Sequence, residues 1–537
     1  MTPSAHVDTF TRDNLPPRSD WPQLAFELPE LRYPERLNCA AELLDRPVTR
    51  GHGHRVALRS AEGECTYLQL FTQANRLAHV LVREMGLRPG NRVLLRGPNS
   101  PMMAACWLAV MKAGGVCVAT MPLLRAKELI DIIDKAQVTH ALCDRRLDEE
   151  LKKAQGVSSC LKQAKYWHDD APDSLDALAL RQPTVFGNVA TAADDAALIA
   201  FTSGTTGTPK GTVHFHRDVL AMCDTFARSC VRMGKDDIVC GTPPIAFTFG
   251  LGGLLCFPLR YGASSVLMEK LSPETLLETV QRFKATTCFS SPLMYRAMSA
   301  LAGQFDLRTL KTCVSAGEAL PDATRQLFKQ ATGIEIIDGI GSTEMIHCFI
   351  SHTPERVRRG ATGYAVPGYR AAVLNDALEA CKPGEVGRLA VRGPTGCRYL
   401  ADPRQKDYVK NGWNLTGDAY AMDRDGYFFY QARTDDMIIS AGYNIAGPEV
   451  EGALLTHPAV AECAVVAAPD AERGTIVKAF VVLKKEFPGN DSTAKTLQEH
   501  VKQAIAPYKY PRAIEFIDAL PRTETGKVQR FKLRTSP

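Results

Sequence analysis

The loop at positions 202–211 carries the residue types that bind a polyphosphate. It follows the apolar run 196–201 and combines hydroxyl side chains, glycines and one lysine. Glycine lets backbone N–H groups approach a ligand closely, hydroxyls donate hydrogen bonds, and lysine contributes charge. No Gly-Lys-Ser/Thr ends the loop, so it is not a Walker A motif. A flexible surface loop has a similar composition, and the remaining motifs must decide between the two readings. The candidate nucleotide-binding residues of this loop are Thr202, Ser203, Gly204, Thr205, Thr206, Gly207 and Lys210.

A second motif spans Asp338–Met345 and reads Asp-Gly-Ile-Gly-Ser-Thr-Glu-Met. Its closely spaced glycines follow an apolar segment, which indicates a strand end where the backbone approaches a ligand. The Glu344 carboxylate beside the Thr343 hydroxyl suits a Mg²⁺ ion carried by a nucleotide. Taken alone, the same residues fit a capped turn equally well.

Two further motifs are weak individually but follow in order. In Thr416-Gly-Asp418, a carboxylate after a tight turn has the chemistry to accept hydrogen bonds from the two hydroxyls of a ribose. Near the end of the chain, the segment 522–527 finishes in Gly-Lys527. Gly-Asp turns and terminal lysines are common, so neither motif identifies a function by itself.

In this order, the motifs resemble those of the adenylate-forming superfamily, which includes acyl- and aryl-CoA ligases, amino-acid adenylation domains and luciferases. The resemblance runs from about residue 66 to residue 532. It implies that Thr343 contacts the α-phosphate, that Glu344 binds the metal, and that Lys527 bridges carboxylate and phosphate during adenylation. It also implies that Asp435 is a hinge. The other nucleotide and coenzyme contacts that the resemblance implies are Gly317, Glu318, Asp338, Gly339, Ile340, Gly341, Asp418, Arg433 and Gly442.

Position 340 departs from the pattern of many members of this superfamily. They carry an aromatic ring there to stack on adenine, whereas this chain has Ile340. An aliphatic side chain still offers dispersion contact to the base, so the difference indicates a subgroup.

The resemblance implies a two-step reaction that uses ATP, Mg²⁺ and coenzyme A. Lys527 and the metal offset the repulsion between two anions and stabilise charge that develops on the α-phosphate. The resulting acyl-adenylate is then attacked by the thiol of coenzyme A. The small C-terminal domain is expected to rotate between the steps, which withdraws Lys527 and brings the strand at 440–443 to the site. Gly442 would leave the pantetheine channel open.

The segments 315–321, 338–347 and 440–447 look most like those of benzoate- and 2-aminobenzoate-CoA ligases. The pocket residues implied by this likeness are Phe247, Thr248, Phe249, Ala316 and His347. Phe249 would offer its ring to the substrate, and His347 would bond an ortho substituent or the carboxylate, unless it is a core histidine bonded to backbone. Benzoate ligases have a small apolar residue where Thr248 stands, so we favour 2-aminobenzoate over benzoate.

Three alternatives stay open at this point. A medium-chain fatty acyl-CoA ligase would need a longer tunnel than Phe247 and Phe249 leave. An amino-acid adenylation domain is disfavoured because no carrier domain follows Lys527. From a different class, a non-catalytic nucleotide-binding protein would keep the fold, but it would have no need of Lys527.

The amino-acid composition limits the classes of partner and the cellular compartment that are expected. Hydrophobic residues make up 45% of the 537 residues and the formal net charge is only +5, so a soluble globular protein that does not bind nucleic acid is expected. The apolar run at 102–111 is roughly half the length of a membrane span. The 16 cysteines occur singly, which predicts thiols in a reducing, cytoplasmic compartment. The partners that the resemblance implies are a small aromatic acid, ATP and coenzyme A, and the oligomeric state stays open.

These motifs must be positioned by alternating strands and helices, which begin near residue 55. Strand–helix–strand spacing predicts right-handed βαβ units and a mostly parallel sheet. Beyond Gly417 the pattern becomes a compact α+β arrangement. The fold class is thus α/β, with a large N-terminal domain of βαβ-type sheets and flanking helices (1–432) and a small mobile α+β domain (433–537), hinged at Asp435.

Overall fold

The structure is a computed structural model that describes residues 3–202, 209–434, 436–440, 443–470, 474–523 and 526–534. Seven of the candidate site residues lie outside these ranges: Ser203, Gly204, Thr205, Thr206, Gly207, Asp435 and Gly442. Among the described helices, none combines the length and the apolar character that crossing a membrane requires.

The first sheet has the spatial order β6-β5-β3-β4-β7-β8. Its strands are β3 (Arg92–Arg96), β4 (Val116–Thr120), β5 (His140–Asp144), β6 (Gln163–Trp167), β7 (Ala196–Thr202) and β8 (Lys210–Phe215). All neighbours are parallel except β7 and β8, which form an antiparallel pair around the candidate phosphate loop.

The second sheet has the spatial order β15-β14-β13-β12-β11-β9-β10-β1-β2. Its strands are β1 (Val56–Ser60), β2 (Gly63–Thr66), β9 (Ile238–Gly241), β10 (Ser264–Val266), β11 (Thr287–Ser290), β12 (Thr312–Ser315), β13 (Ile336–Gly341), β14 (Cys348–Ser351) and β15 (Tyr364–Ala365). The centre is parallel, and both edges end in antiparallel strands. The motif at 338–345 thus leaves the sheet where β13 turns towards β14.

The two sheets enclose a layer of buried helices. Alternate residues of one strand face different cores, as Val93 and Leu95 join the central cluster while Leu94 joins an outer one. The central cluster includes residues of α2 (Tyr67–His79), α3 (Pro101–Lys112), α7 (His216–Met222) and α9 (Phe257–Tyr261). The outer faces are covered by α4 (Ala126–Ala136), α5 (Asp148–Val157), α10 (Pro273–Phe283), α11 (Pro292–Ser299) and α12 (Asp322–Thr332). Both faces of each sheet are therefore buried, as parallel sheets require.

An antiparallel sheet and a small α+β unit complete the chain. The antiparallel sheet contains β16 (Arg370–Leu374), β17 (Val386–Arg392), β18 (Val409–Lys410), β19 (Trp413–Met422) and β20 (Phe428–Arg433). The small unit contains β21 (Ile438–Ser440), β22 (Tyr443–Ile445), α14 (Gly447–Leu454), β23 (Val460–Asp470), β24 (Gly474–Leu483), α15 (Asp491–Ala504), β25 (Ala513–Phe516) and α16 (Arg530–Arg534). The remaining short helices are α1 (Phe10–Asp13), α6 (Leu175–Leu180), α8 (Thr248–Gly250) and α13 (Gln405–Tyr408).

The predicted α/β class, with a large N-terminal and a small C-terminal domain, is confirmed. The expected boundary at residue 433 remains a prediction, and it falls where β20 ends at Arg433 and a separate small unit begins with β21. In the small unit, β23 is long because it pairs along its whole length with β24.

Candidate active site

Strands β7 and β8 bring the two ends of the candidate phosphate loop side by side. Thr202 and Lys210 are paired directly across the antiparallel ladder. The Thr202 hydroxyl oxygen is buried and has no hydrogen-bond partner among the described residues. A buried hydroxyl without a partner is costly in an empty site and suits one that receives a ligand. The side chain of Lys210 contacts Tyr399, with Nζ 3.3 Å from its hydroxyl oxygen.

A short 3₁₀ turn, Thr343–Met345, presents the predicted phosphate and metal residues. The Ser342 hydroxyl begins the turn by accepting the Met345 N–H at 3.2 Å. The buried imidazole of His214 on β8 donates through Nε2 to the Thr343 carbonyl at 2.7 Å, which ties the turn to the strand after the phosphate loop. The Glu344 carboxylate is 8% exposed, and its Oε1 accepts the Tyr399 hydroxyl at 2.6 Å.

The glycines of β13 lie close to the chain segment 347–348. A Cβ added to Gly341 would lie 2.8 Å from the backbone of His347, and one added to Gly339 would lie 3.2 Å from the Cys348 sulfur. Ile340 is half-buried and packs against the central core. Burial raises the pKa of the Asp338 carboxyl to about 7, although the positive charge of Arg325 opposes this.

Asp418 and Arg433 face each other across β19 and β20. Arg433 donates through Nη1 to Asp418 Oδ1 at 3.2 Å and to the Thr416 carbonyl at 2.9 Å. Burial raises the pKa of Asp418, and the charges of Arg433 and Lys527 act in the opposite direction. The predicted ribose-binding carboxylate is therefore buried beside two cationic side chains that the sequence places far from it.

Lys527 reaches the large domain at Gly317. A Cβ on Gly317, whose φ is +92°, would lie 3.8 Å from Lys527 Cε. Glu318, the next residue, pairs with Arg522 at 3.5 Å and accepts the backbone N–H of Val528. Burial raises the pKa of Glu318, against the opposing charges of Arg522 and Lys527. Glu318 was predicted as a nucleotide contact, and here its carboxylate holds the segment that carries Lys527.

Two of the predicted aryl-pocket residues, Phe249 and His347, lie in one aromatic cluster. The His347 ring lies 4.6 Å from the ring centre of Phe257, 5.2 Å from Phe226 and 5.7 Å from Phe249. Phe249 also meets the edge of Phe289 at 5.8 Å, and Ala316 belongs to the same core cluster as Phe289. The chain reaches this cluster through Phe247, a half-buried residue that directly precedes α8.

His347 is buried as a neutral imidazole. Neither ring nitrogen makes a well-formed hydrogen bond to a described residue. Burial lowers its pKa to about 3, against the effect of the nearby Phe249 backbone. The preceding residue, Ile346, has φ +64°, a conformation that a β-branched residue adopts only under strain. The structure therefore places an uncharged donor–acceptor group at the aromatic cluster.

Thr248 lines a small cavity of about 10 Å³ between the first sheet and the helix that begins with α8. This volume is close to that of a single water-sized probe. The other walls are apolar or weakly polar: Trp107, Cys117, Ala119, Leu198, Ile199, Ala200, Ile245, Ala246 and Leu251. A small substituent fits the space beside the Thr248 hydroxyl better than an alkyl chain does.

The residues at the turn fit a nucleotide-bound Mg²⁺. A hard cation takes oxygen ligands, and Glu344 offers a buried carboxylate with one oxygen already oriented by a neutral donor. Thr343 and Thr202 add hydroxyl oxygens near the same strand ends. Glu344 would hold the ion, which supplies positive charge that offsets the phosphates.

Comparison with known proteins shows the family to which the chain belongs. The family model described as AMP-binding enzyme matches residues 45–399, and the model of the AMP-binding enzyme C-terminal domain matches residues 449–527. The chain belongs to the AMP-binding enzyme family. It is 35% identical to the benzoate–CoA ligase of Thauera aromatica, over 95% of this chain and 98% of the relative.

Two solved structures are similar over nearly the whole length. The anthranilate CoA ligase AuaEII, in complex with anthranoyl-AMP, is 32% identical with a TM-score of 0.90, covering 95% of this chain and 98% of that one. A benzoate CoA ligase from Burkholderia xenovorans LB400 is 31% identical with a TM-score of 0.85, covering 93% and 99%. Together with the family match, these relatives show an acid–thiol ligase of the aryl-CoA class, which uses ATP, Mg²⁺ and coenzyme A.

Sequence reasoning missed three residues that contact the predicted site. They are His214, Tyr399 and Arg522. Arg522 opens the segment 522–527 without having been given a role, His214 follows the phosphate loop by only a few residues, and Tyr399 belongs to no motif. Their positions depend on strand pairing and domain packing, which local patterns do not reveal.

Proposed function

We propose that the preferred acid of this aryl-CoA ligase is 2-aminobenzoate, with benzoate as the alternative. The observation that carries the proposal is Thr248, which lines a water-sized cavity with otherwise apolar or weakly polar walls and directly precedes Phe249 of the aromatic cluster. A hydroxyl in an apolar wall accepts a hydrogen from an ortho-amino group, whereas unsubstituted benzoate would leave it without that partner. The similarity to a ligase crystallised with anthranoyl-AMP supports the same choice.

The aromatic walls support an aryl acid over a medium-chain fatty acid. Phe249, Phe257 and Phe289 pack against one another and against His347, so the cluster is filled by rings. Ring faces and edges offer favourable contacts to a planar substrate. An extended alkyl chain would need a tunnel through the same volume.

In the first step, a carboxylate oxygen of the acid attacks the α-phosphorus of ATP, and diphosphate leaves. Lys527 approaches Gly317 at the end of β12 and is proposed to bridge the two anions. Thr343 is proposed to donate to the α-phosphate from a turn held by His214, and Asp418 to accept the ribose hydroxyls. Preorganised donors and charges of this kind stabilise the transition state without reorganisation.

In the second step, the sulfur of coenzyme A attacks the acyl carbonyl, AMP leaves, and the thiol proton is released. Because Lys527 serves the first step, we propose that the small domain rotates about Asp435 before thiol attack. Gly442 is then proposed to lie beside the pantetheine channel. Both residues lie outside the described part of the chain.

The first experiment is carboxylate-dependent ATP consumption in the presence of coenzyme A, with AMP and acyl-CoA both quantified. The acids are 2-aminobenzoate, benzoate, 4-hydroxybenzoate and octanoate. We expect equal amounts of AMP and 2-aminobenzoyl-CoA, with a higher kcat/KM than for benzoate. Turnover of octanoate alone would refute the aryl pocket, and turnover of no acid would favour the non-catalytic alternative.

The pocket assignment is tested by Thr248→Ala. Loss of one neutral hydrogen bond should lower the preference for 2-aminobenzoate over benzoate by about fivefold to tenfold, because such bonds contribute about 1 kcal/mol. Thr279→Ala is a matched control, since this buried threonine bonds the Thr275 carbonyl within α10. An unchanged preference in Thr248→Ala would refute the role of the hydroxyl.

A further inference from the structure

The hydroxyl group of Tyr399 joins two charged residues of the proposed site. It donates to Glu344 Oε1 at 2.6 Å and lies 3.3 Å from Nζ of Lys210. The lysine also lies over the tyrosine ring, 5.2 Å from its centre. Tyr399 is only 1% exposed, so water does not compete for these contacts.

The chain fixes Tyr399 there by adding a short segment to the edge of β8. The Val213 N–H donates to the Arg398 carbonyl, and the Leu400 N–H donates to the Gly211 carbonyl, both at 2.8 Å. The neighbouring Arg398 forms a fully buried ion pair with Asp218 at 2.8 Å. This segment therefore stays anchored whether or not a nucleotide is bound.

The tyrosine ring is also held on its other side. It meets the ring of Tyr408 edge to face at 5.7 Å, and the Tyr408 hydroxyl lies 3.3 Å from Ser342 Oγ, at the start of the Thr343–Met345 turn. Burial and the charge of Glu344 raise the pKa of Tyr399, so the hydroxyl remains a neutral donor.

We propose that Tyr399 is a positioning residue that presents Glu344 to the magnesium ion of MgATP and links this carboxylate to Lys210. A hydrogen bond to one carboxylate oxygen fixes the rotation of the group and leaves the remaining lone pairs for a cation. This inference rests on the proposed function, because it takes Glu344 as the metal residue.

The test uses Tyr399→Phe, which removes the hydroxyl and keeps the ring between Lys210 and Tyr408. Binding of ATP is measured calorimetrically without any acid, once with Mg²⁺ and once with EDTA. We expect the MgATP dissociation constant to rise about tenfold, as for loss of a bond to a charged group, and metal-free binding to change less than threefold. Tyr67→Phe, another buried tyrosine that bonds backbone carbonyls, should match the wild type in both conditions.

A double-mutant cycle with Glu344→Gln separates positioning from a general effect on folding. If Tyr399 acts through the carboxylate, Tyr399→Phe should add less than a twofold change in MgATP affinity in the Glu344→Gln background. The proposal would be overturned if Tyr399→Phe lowered the MgATP affinity equally in the wild-type and Glu344→Gln backgrounds. It would also be overturned if Tyr399→Phe lowered the ATP affinity equally with and without Mg²⁺. Unchanged MgATP binding by Tyr399→Phe would also overturn it.

The outcome is independent of which acid is used. A wild-type protein that binds MgATP but activates no aromatic acid would refute the proposed function, while the effect of Tyr399→Phe on MgATP affinity would still support the role of Tyr399. A wild-type protein that binds no MgATP would overturn both.

Discussion

At the scale of single residues, the buried acids of the site differ in what holds them. Glu344 accepts a neutral tyrosine hydroxyl, Asp418 pairs with Arg433, and Glu318 pairs with Arg522. Burial raises the pKa of both Asp418 and Glu318, and the charges of their cationic partners oppose this rise.

The titration of Asp338 is expected to make the stability of the protein depend on pH. Its folded pKa of about 7 lies above the unfolded value of 3.8, so the folded state retains a proton that the unfolded chain loses between these values. The wild type should lose stability as the pH rises through this window. The free energy of unfolding of Asp338→Asn, relative to that of the wild type, should therefore rise by about 2–3 kcal/mol between pH 5 and pH 8.

Denaturant unfolding at the two pH values measures this difference. Asp306→Asn is the control. Arg308 and the local backbone hold the pKa of this exposed carboxyl at about 2. The effect of this substitution on the free energy of unfolding should therefore not change from pH 5 to pH 8. A difference between Asp338→Asn and wild type that does not change with pH would contradict the prediction.

Lys527 is expected to act in chemistry and not in ground-state binding. Lys527→Ala should leave ATP affinity within about threefold and lower adenylate formation by about a hundredfold or more, the effect of removing one preorganised charge. Calorimetry measures the first quantity and acid-dependent diphosphate–ATP exchange the second. Lys502→Ala, which removes an exposed lysine paired with Glu499, is the control. Equal losses in binding and exchange would show that the role is misassigned.

At the scale of elements, the β19–β20 hairpin builds the proposed ribose site. The register places Asp418 directly opposite Arg433. The turn before Asp418 needs glycine for two reasons: Gly417 has φ +77°, and a Cβ there would lie 2.6 Å from Arg433 Nη2. The positions of the Asp418 carboxylate and the Arg433 guanidinium therefore depend on the glycine at position 417.

Gly417→Ala should displace Arg433 and raise the KM for ATP about tenfold, with little change in the KM for the acid. Gly426→Ala separates this clash from backbone strain, since Gly426 also has positive φ (+81°) but no atom within 4 Å of an added Cβ. Steady-state kinetics of both variants measure the effect. If the two variants have similar KM values for ATP, backbone strain and not displacement of Arg433 would explain the rise in KM.

At the scale of the whole molecule, the small domain is held over the site by polar contacts. Glu318 of the large domain receives Arg522 and the Val528 N–H, and Arg296 on α11 donates to the carbonyls of Leu455 and Val460. These contacts are partly exposed, so they are suited to an arrangement that opens again. The observed packing is the one in which Lys527 lies against Gly317.

Glu318→Gln should weaken this packing and slow adenylation by about twofold to fivefold, because a partly exposed ion pair contributes up to about 1 kcal/mol. Thioester formation from supplied acyl-adenylate should not slow, since Lys527 is proposed to act only in adenylation. The two half-reactions are measured separately. Glu462→Gln removes the other partner of Arg522 within the small domain and is the control. Equal slowing of both half-reactions by Glu318→Gln would refute the selective role.

The sequence by itself determined the order of the motifs, the α/β class, and the family. These features are local: hydroxyl and glycine content marks a phosphate loop, and the alternation of strands and helices repeats over short stretches. Lys210, Glu344, Asp418 and Lys527 were therefore named as site residues before any geometry was known. The reaction class follows from the resemblance that these motifs, taken in order, bear to the adenylate-forming superfamily.

Only the tertiary structure decided which residues hold these groups in place. Tyr399 meets Glu344 across 55 positions and Lys210 across 189, because the segment containing it adds to the edge of β8. The aromatic surroundings of His347 come from distant helices and strands in the same way. Such contacts depend on strand register and helix packing over the whole chain, and no short pattern of residues specifies them.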